Sequence, residues 1–312
     1  LHHVTAVAGD AGATLAFYPQ VLGQRLVKTT VNFDDPGTYH LYFGDEVGTP
    51  GTILTFFLWP GGGRGRVGAG ETSAFAYIMP AGTTGFWEQR LGAFGWTPRR
   101  ERRFGDTVLH VTDPAGLSVE LVETPLVGST RRWAHGPLDA EHALRAFHSV
   151  TLRLAEVEPT GRLLTDLLGY RFVGREGDRY RYAASGTGSY LDLVYAPGPA
   201  GRFGVGSIHH IAFRVAGAEA QGTYQTALRE AGIGVTEVRD RKYFRSIYFR
   251  SPGGVLFEIA TDEPGFLFDE PVDRLGQALQ LPSWMEVRRA EIEGLLPPLD
   301  RDVLRSREGV DG

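Results

Sequence analysis

Residues 1–27 read LHHVTAVAGDAGATLAFYPQVLGQRLV, and residues 147–173 read FHSVTLRLAEVEPTGRLLTDLLGYRFV. Each stretch opens with a short alternating strand, runs through a helix-like segment, meets a Leu-Gly pair and ends in a second apolar run. Gly23 and Gly169 stand where a helix C-cap glycine belongs, since glycine enters the left-handed conformation without a Cβ penalty. Residues 73–95 (SAFAYIMPAGTTGFWEQRLGAFG) and 208–232 (IHHIAFRVAGAEAQGTYQTALREAG) repeat the strand and helix less regularly. The last run of each copy follows a glycine turn: TPG-TILTFF, DPAG-LSVELVE, GTGS-YLDLVY and SPGG-VLFEIAT. The chain therefore reads as four β-α-β-β-β modules, an α+β fold.

One module cannot close a core, but two form a cupped mixed sheet whose alternate side chains point into the cup. Alignment puts His3, Ala74, Ser149 and His210 at one position of the first strand. It puts Thr55, Glu120, Asp192 and Glu258 at one position of the last. Pairing the modules as neighbours leaves each cup with at most one of the two histidines. Pairing the first with the fourth gathers His3, Thr55, His210 and Glu258, and leaves Ala74, Glu120, Ser149 and Asp192 in the other cup. Two imidazoles and a carboxylate are the facial ligand set that holds iron(II) with positions open for substrate and oxygen. The chemistry thus selects the one-with-four pairing, where periodicity alone leaves the pairing open. A lone strand histidine is ordinarily a satisfied core or surface residue; two at one repeat position with a glutamate at a third corner read as metal ligands: His3, His210 and Glu258.

The bulk numbers agree with a soluble globular protein that has a sizeable core. The 312 residues are 42% hydrophobic and 22% charged, with a net charge of −5 and no cysteine. No basic run points to nucleic acid, no cationic surface to a membrane, and no apolar run approaches the roughly 20 residues of a membrane span. Absence of cysteine excludes disulfides and thiolate chemistry and suits a cytoplasmic location. No secretory leader is read, and the chain starts at Leu1 rather than methionine. The expected division is residues 1–126 for the first pair of modules, 127–146 for a linker, 147–262 for the second pair and 263–312 for a tail. Glycine-rich residues 61–70 (GGGRGRVGAG) read as a flexible connection; no strand-loop-helix context supports a phosphate loop. In the tail, Pro282-Ser283 followed by Glu286 reads as a capping box opening one helix to about Leu295, stopped by Pro297-Pro298. Gly265–Phe268 is placed over the cup or simply against core.

The segments LHHVTAVAGDAGATLAFY, YHLYFGDEVGTPGT (39–52), GSIHHIAFRV and RKYFRSIYFRSPGGVLFE (241–258) resemble the vicinal oxygen chelate superfamily, and within it ring-cleaving dioxygenases of the hydroquinone-dioxygenase type. The resemblance spans nearly the whole chain. It implies iron(II), in some members manganese(II), held by His3, His210 and Glu258. It implies an extradiol-type dioxygenase acting on a hydroquinone or catechol with O₂ as co-substrate. The sequence leaves open whether the chain forms a homo-oligomer. Two rivals stand beside this reading. A glyoxalase-type isomerase or transferase needs an acidic group at the corner where Thr55 stands. A protein that only binds small aromatics needs no metal.

Around the ligands, Tyr248 and Arg241 are expected on or near the strand before the last, facing the metal, where a phenol and a guanidinium hold a developing oxyanion. The bland alternative is an aromatic strand residue and a surface arginine. His40 and Tyr42, the first-module counterparts of Ser246 and Tyr248, are expected to shape the substrate pocket with the small residue Thr55. His2 and His209 precede the ligands, and strict alternation turns both to the far side of the sheet. The resemblance gives His2 the alternative of serving as an acid or base near substrate. His110, His135, His142 and His148 read as structural.

Overall fold

The computed structural model describes residues 1–125, 131–184 and 189–300. Residues 127–130 of the expected linker, most of the third module's glycine turn, and residues 301–312 lie outside them. The first module comprises β1 (His3–Ala8), α1 (Ala11–Leu15), β2 (Arg25–Asn32), β3 (Asp35–Gly44) and β4 (Ile53–Leu58). The second comprises β5 (Glu71–Pro80), α2 (Thr84–Ala93), β6 (Arg99–Arg103), β7 (Asp106–Thr112) and β8 (Ser118–Thr124). The third contains β9 (Phe147–Leu154), α3 (Glu158–Arg162), β10 (Arg171–Glu176), β11 (Arg179–Ala183) and β12 (Tyr190–Tyr195). The fourth contains β13 (Ile208–Val215), α4 (Ala218–Glu230), β14 (Arg239–Asp240), β15 (Arg245–Arg250) and β16 (Leu256–Thr261). Local chemistry marks the helix ends. Asp10 accepts a hydrogen bond from Ala13 N at 2.9 Å to open α1, and Gly23 and Gly169 follow the helical segments at φ of 70° and 68°.

The modules assemble into two eight-stranded mixed sheets. One runs β14-β15-β16-β13-β1-β4-β3-β2 and joins modules one and four; the other runs β10-β11-β12-β9-β5-β8-β7-β6 and joins two and three. Each sheet thus takes one module from each half of the sequence. β1 and β13 meet antiparallel at the centre of the first sheet, with β4 and β16 parallel on their outer sides. Apolar residues of both sheets, including Val4, Leu54, Ile211 and Phe257 of the first and Phe75, Val150 and Leu191 of the second, belong to one buried cluster. Among the described residues no helix is long and apolar enough to cross a membrane.

The glycine-rich connection at 61–70 is pinned rather than loose. It runs against the connection between modules three and four through bridges Arg64↔Val205, Arg66↔Arg202 and Ala69↔Ala200. A Cβ on Gly68 would lie 2.3 Å from the backbone nitrogen of Gly201. Glycine is needed there for close backbone approach, so its conformational freedom is not the point.

The tail also departs from expectation. Pro282, with φ −70° and ψ 154°, takes the extended cap position and has no side-chain acceptor, so Ser283 is the first helical residue and forms no capping box. The expected single helix is two, α5 (Ser283–Glu286) and α6 (Arg289–Leu295), because Arg288 between them leaves helical geometry at ψ 14°. Leu281, Met285 and Ile292 anchor them against Val31 of β2. Upstream, Phe266 enters the first sheet's cup and packs its ring 5.1 Å from those of both Tyr42 and Tyr243. Lys28, fully buried on β2, donates to Asp269 at 2.7 Å and also pairs with Glu270. Burying a lysine is costly unless it is paired, and these two carboxylates fasten the tail to the cup.

The second cup is filled by its own charges. Glu120 accepts from Arg103 at 2.7 Å. Asp192 accepts from Arg181 Nε and Nη2 at 2.8 and 2.9 Å and from Arg179 at 3.0 Å. Guanidinium groups therefore neutralise both carboxylates at the positions equivalent to Glu258 and Thr55.

Candidate metal centre and substrate pocket

Three strands carry the potential ligands. His3 begins β1, His210 lies on β13, and Glu258 lies on β16, directly opposite Tyr248 of β15. The register makes Tyr42↔Thr55 in the first module the counterpart of Tyr248↔Glu258 in the fourth. The repeat alignment is thus reproduced residue by residue at this site.

The three side chains are buried and present one ligand atom each, all within 4.8 Å of one another. His3 Nε2 and His210 Nε2 are 3.2 Å apart. Glu258 Oε2 is 3.3 Å from the first and 2.8 Å from the second, yet makes no well-aligned hydrogen bond. Ligand atoms roughly 2.1 Å from one ion and at right angles to each other are about 3 Å apart. All three edges of this triangle have that length, so the residues fit a divalent ion bound on one face of its coordination sphere. Burial alone would raise the Glu258 carboxyl, but the two facing histidines outweigh it and hold it well below the usual carboxylate range. Burial lowers His210 despite the opposing pull of Glu258, favouring the neutral imidazole that a metal requires. Ser246 donates to Oε1 of Glu258 and fixes the carboxylate's orientation.

Both preceding histidines back a histidine of the cluster. Nδ1 of His2 is 2.9 Å from Nδ1 of His3, and Nδ1 of His209 is 2.7 Å from Nδ1 of His210. With each ligand's Nε2 kept as a lone pair toward the ion, its Nδ1 carries the proton and donates it to the neighbouring histidine. Such outer partners fix tautomer and ring orientation. Burial keeps His2 well below its ordinary pKa and brings His209 down to about 3, so both rings are neutral acceptors. His2 stays behind His3, against the ring of Phe244 at 5.1 Å, and is buried. His209 departs from strict alternation. The β1–β13 register slips between Thr5↔His210 and Ala6↔Ile208, leaving His209 as the extra residue of a β-bulge. A bulge re-aims the side chain it carries, and His209 joins the pocket wall on the same side as His210. No period in the sequence marks the bulge; the only signal was the duplicated His-His pair.

The His3-His210-Glu258 cluster lines a cavity of about 180 Å³ whose walls include Phe33, Phe57, Phe244 and Tyr248. His40 and Tyr42 line it too, and Thr55 lies behind them, fully buried. Tyr42 OH and His40 Nδ1 are 2.9 Å apart, His40 Nε2 and Thr55 Oγ1 2.8 Å, and Thr55 donates to Thr5 at 2.8 Å. This chain occupies both nitrogens of His40, making the ring a fixed wall. It also uses the Thr55 hydroxyl within the protein. Tyr248 receives a hydrogen bond from Arg241 Nε at 3.0 Å. Burial, with Glu258 nearby, raises its phenol above the ordinary value, so it remains a proton donor. Of the histidines read as structural, His110 contacts Glu101 at 3.0 Å, His142 contacts Asp139 at 2.8 Å, and His148 is buried in the second cup.

A two-sheet assembly of four βαβββ modules with a His-His-Glu cluster in one cup defines a protein of the vicinal oxygen chelate type. The chain belongs to the Glyoxalase/Bleomycin resistance protein/Dioxygenase superfamily, whose family model matches residues 1–121 and 146–259. It is 45% identical to the Bacillus subtilis (strain 168) protein named "Putative ring-cleaving dioxygenase MhqO", over 95% of this chain and 96% of that one. It is 36% identical to the chlorohydroquinone/hydroquinone 1,2-dioxygenase of Sphingobium indicum, over 94% of both chains. A solved Bacillus subtilis structure, 44% identical, superposes with a TM-score of 0.93 over 96% of this chain and 97% of that one. Glyoxalase I from Zea mays, 14% identical, shares the fold with a TM-score of 0.63 over 84% of this chain and 92% of its own.

Proposed function

We propose that this chain is an iron(II)-dependent, extradiol-type ring-cleaving dioxygenase acting on a hydroquinone or catechol. The observation that carries the reading is the convergence of His3, His210 and Glu258 at the floor of an aromatic-walled pocket. The relatives named for ring cleavage support it. An engineered apolar cavity of about 150 Å³ accommodates benzene, so 180 Å³ suits a single substituted ring. A divalent metal held by His3, His210 and Glu258 would supply Lewis acidity toward the diol oxygens. Iron(II) is the proposed ion, and manganese(II) is the alternative that the same ligands accept.

The residues of the chain do the rest. Phe33, Phe57, Phe244 and the His40 ring clamp the substrate by its faces and exclude water. Tyr248, neutral and fixed by Arg241, donates its proton toward oxygen where negative charge develops. His209 and His2 keep the two ligand imidazoles in the Nε2 lone-pair tautomer. Thr55 supplies no acid or base, since its hydroxyl already serves His40 and Thr5, and this disfavours the glyoxalase-type reading. The test is anaerobic reconstitution with iron(II), or manganese(II) in parallel, followed by oxygen uptake with hydroquinones and catechols. Stoichiometric oxygen consumption and ring-opened product are expected with iron. Full metal loading without oxygen uptake from any diol overturns the reading.

A further inference from the structure

The hairpin tip between β2 and β3 closes one side of the pocket mouth. Asn32, Phe33 and Asp34 line the cavity. Asn32 accepts the backbone N–H of Asp34 at 3.0 Å, which stiffens the tip. Its partner comes from the fourth module. Arg241 Nη2 donates to Asp34 Oδ2 at 3.0 Å while Arg241 Nε holds Tyr248, and Arg239 lies 3.6 Å from Oδ1. Asp34 is 60% exposed and Arg241 only 17%.

Among the described residues, Arg241 is the one arginine or lysine lining this pocket. A poorly hydrated guanidinium facing a cavity is a ready receptor for a carboxylate, which it binds through paired N–H donors. Here Asp34 takes that place. Beyond the Glu258 charge, which belongs to the metal site, the lining charges of Arg241 and Asp34 cancel. A ring bearing its own carboxylate would meet an occupied guanidinium and a like charge at the mouth. Discrimination is built from such repulsion as much as from attraction.

We propose that Asp34 is a specificity-determining residue that makes the pocket select electroneutral aromatic diols over diols with a ring carboxylate. This rests on the reading of the cavity as an aromatic-diol site. It names what that site rejects, and the residue that rejects it.

The experiment compares anaerobic equilibrium binding of hydroquinone and 2,5-dihydroxybenzoate to the iron(II)-loaded protein, wild type against Asp34→Asn. The substitution keeps size and the turn geometry while removing the charge. Wild type should prefer hydroquinone. In the variant the preference ratio should move toward the carboxylated ring by about 10-fold or more, with hydroquinone affinity changing by less than about 3-fold, the scale of one close charge contact at a half-exposed site. A ratio unchanged within about 2-fold, or a wild type that binds the carboxylated ring as well as hydroquinone, overturns the proposal. Oxygen uptake on the same preparations separates the two readings. A shifted binding ratio without turnover supports the role of Asp34 and overturns the dioxygenase reading alone, while failure of both rings to bind, to wild type and variant alike, overturns both.

Discussion

Tyr248 shows how one side chain divides its duties. Its ring forms pocket wall, its hydroxyl accepts from Arg241 at 3.0 Å, and it makes no contribution to the ligand triangle. Tyr248→Phe should therefore retain metal and packing but lower turnover about 10- to 1000-fold, the range for one oriented donor or acid. Steady-state kinetics and metal analysis on one preparation check this, and loss of metal instead would place the phenol in the coordination sphere. At this scale the convergence of His3, His210 and Glu258 was legible in the sequence because repeat position and chemistry coincide at the three residues. His209 was not. Its direction depends on a single slipped register against β1, and a one-residue bulge leaves no trace in the alternation of IHHIAFRV. Asp34 was equally hidden, since its meaning comes from Arg241, distant in sequence and brought near only by the one-with-four pairing.

Among the elements, the βαβββ order within each module could be read from glycine turns and apolar periodicity, and the pairing of modules from the chemistry of the residues it gathers. The connections were harder to read. Composition alone suggests that residues 61–70 are loose, whereas their glycines permit two backbones to run in contact. Gly68→Ala should destabilise the protein by about 1–3 kcal/mol, because the added methyl meets backbone that must shift. Gly63→Ala is the matched control: nothing lies within 4 Å of its added carbon, and the change should stay within about 0.5 kcal/mol. Urea midpoints of both variants decide between a pinned and a loose connection; equal, small effects would favour looseness. The tail helix was misread for a related reason. Ser-x-x-Glu is a local signal, and the extended backbone of Pro282 gives the cap position to a residue that cannot use it.

For the whole molecule, acid stability depends on groups that the fold holds neutral. His148 is held down at about 3 by burial first and the Arg181 charge second, and its Nε2 has no hydrogen-bond partner. Its ordinary pKa is near 6.5, so the unfolded chain binds a proton that the folded chain refuses. The stability due to the neutral ring is complete above about pH 6.5 and is lost as pH falls toward 3. Between pH 6 and pH 5 the wild type should lose about 1 kcal/mol more than His148→Phe, the linkage of nearly one proton per pH unit. Denaturation midpoints of the two proteins at these pH values provide the measurement, and parallel slopes would show that His148 is not the acid-sensitive group.

The arginines of the second cup have a consequence for how such a molecule survives changes in metal supply. On the proposed reading one sheet would close around an ion drawn from solution; its twin closes around cations that are part of the chain, with Arg103 on Glu120 and Arg179 and Arg181 on Asp192. The twin's integrity is inherited through translation and does not depend on the medium. A duplicated scaffold can in this way keep one half responsive to the environment and make the other indifferent to it. If the proposed metal dependence holds, starvation for metal would silence the molecule's chemistry while leaving an intact half-framework on which the responsive cup can be refilled.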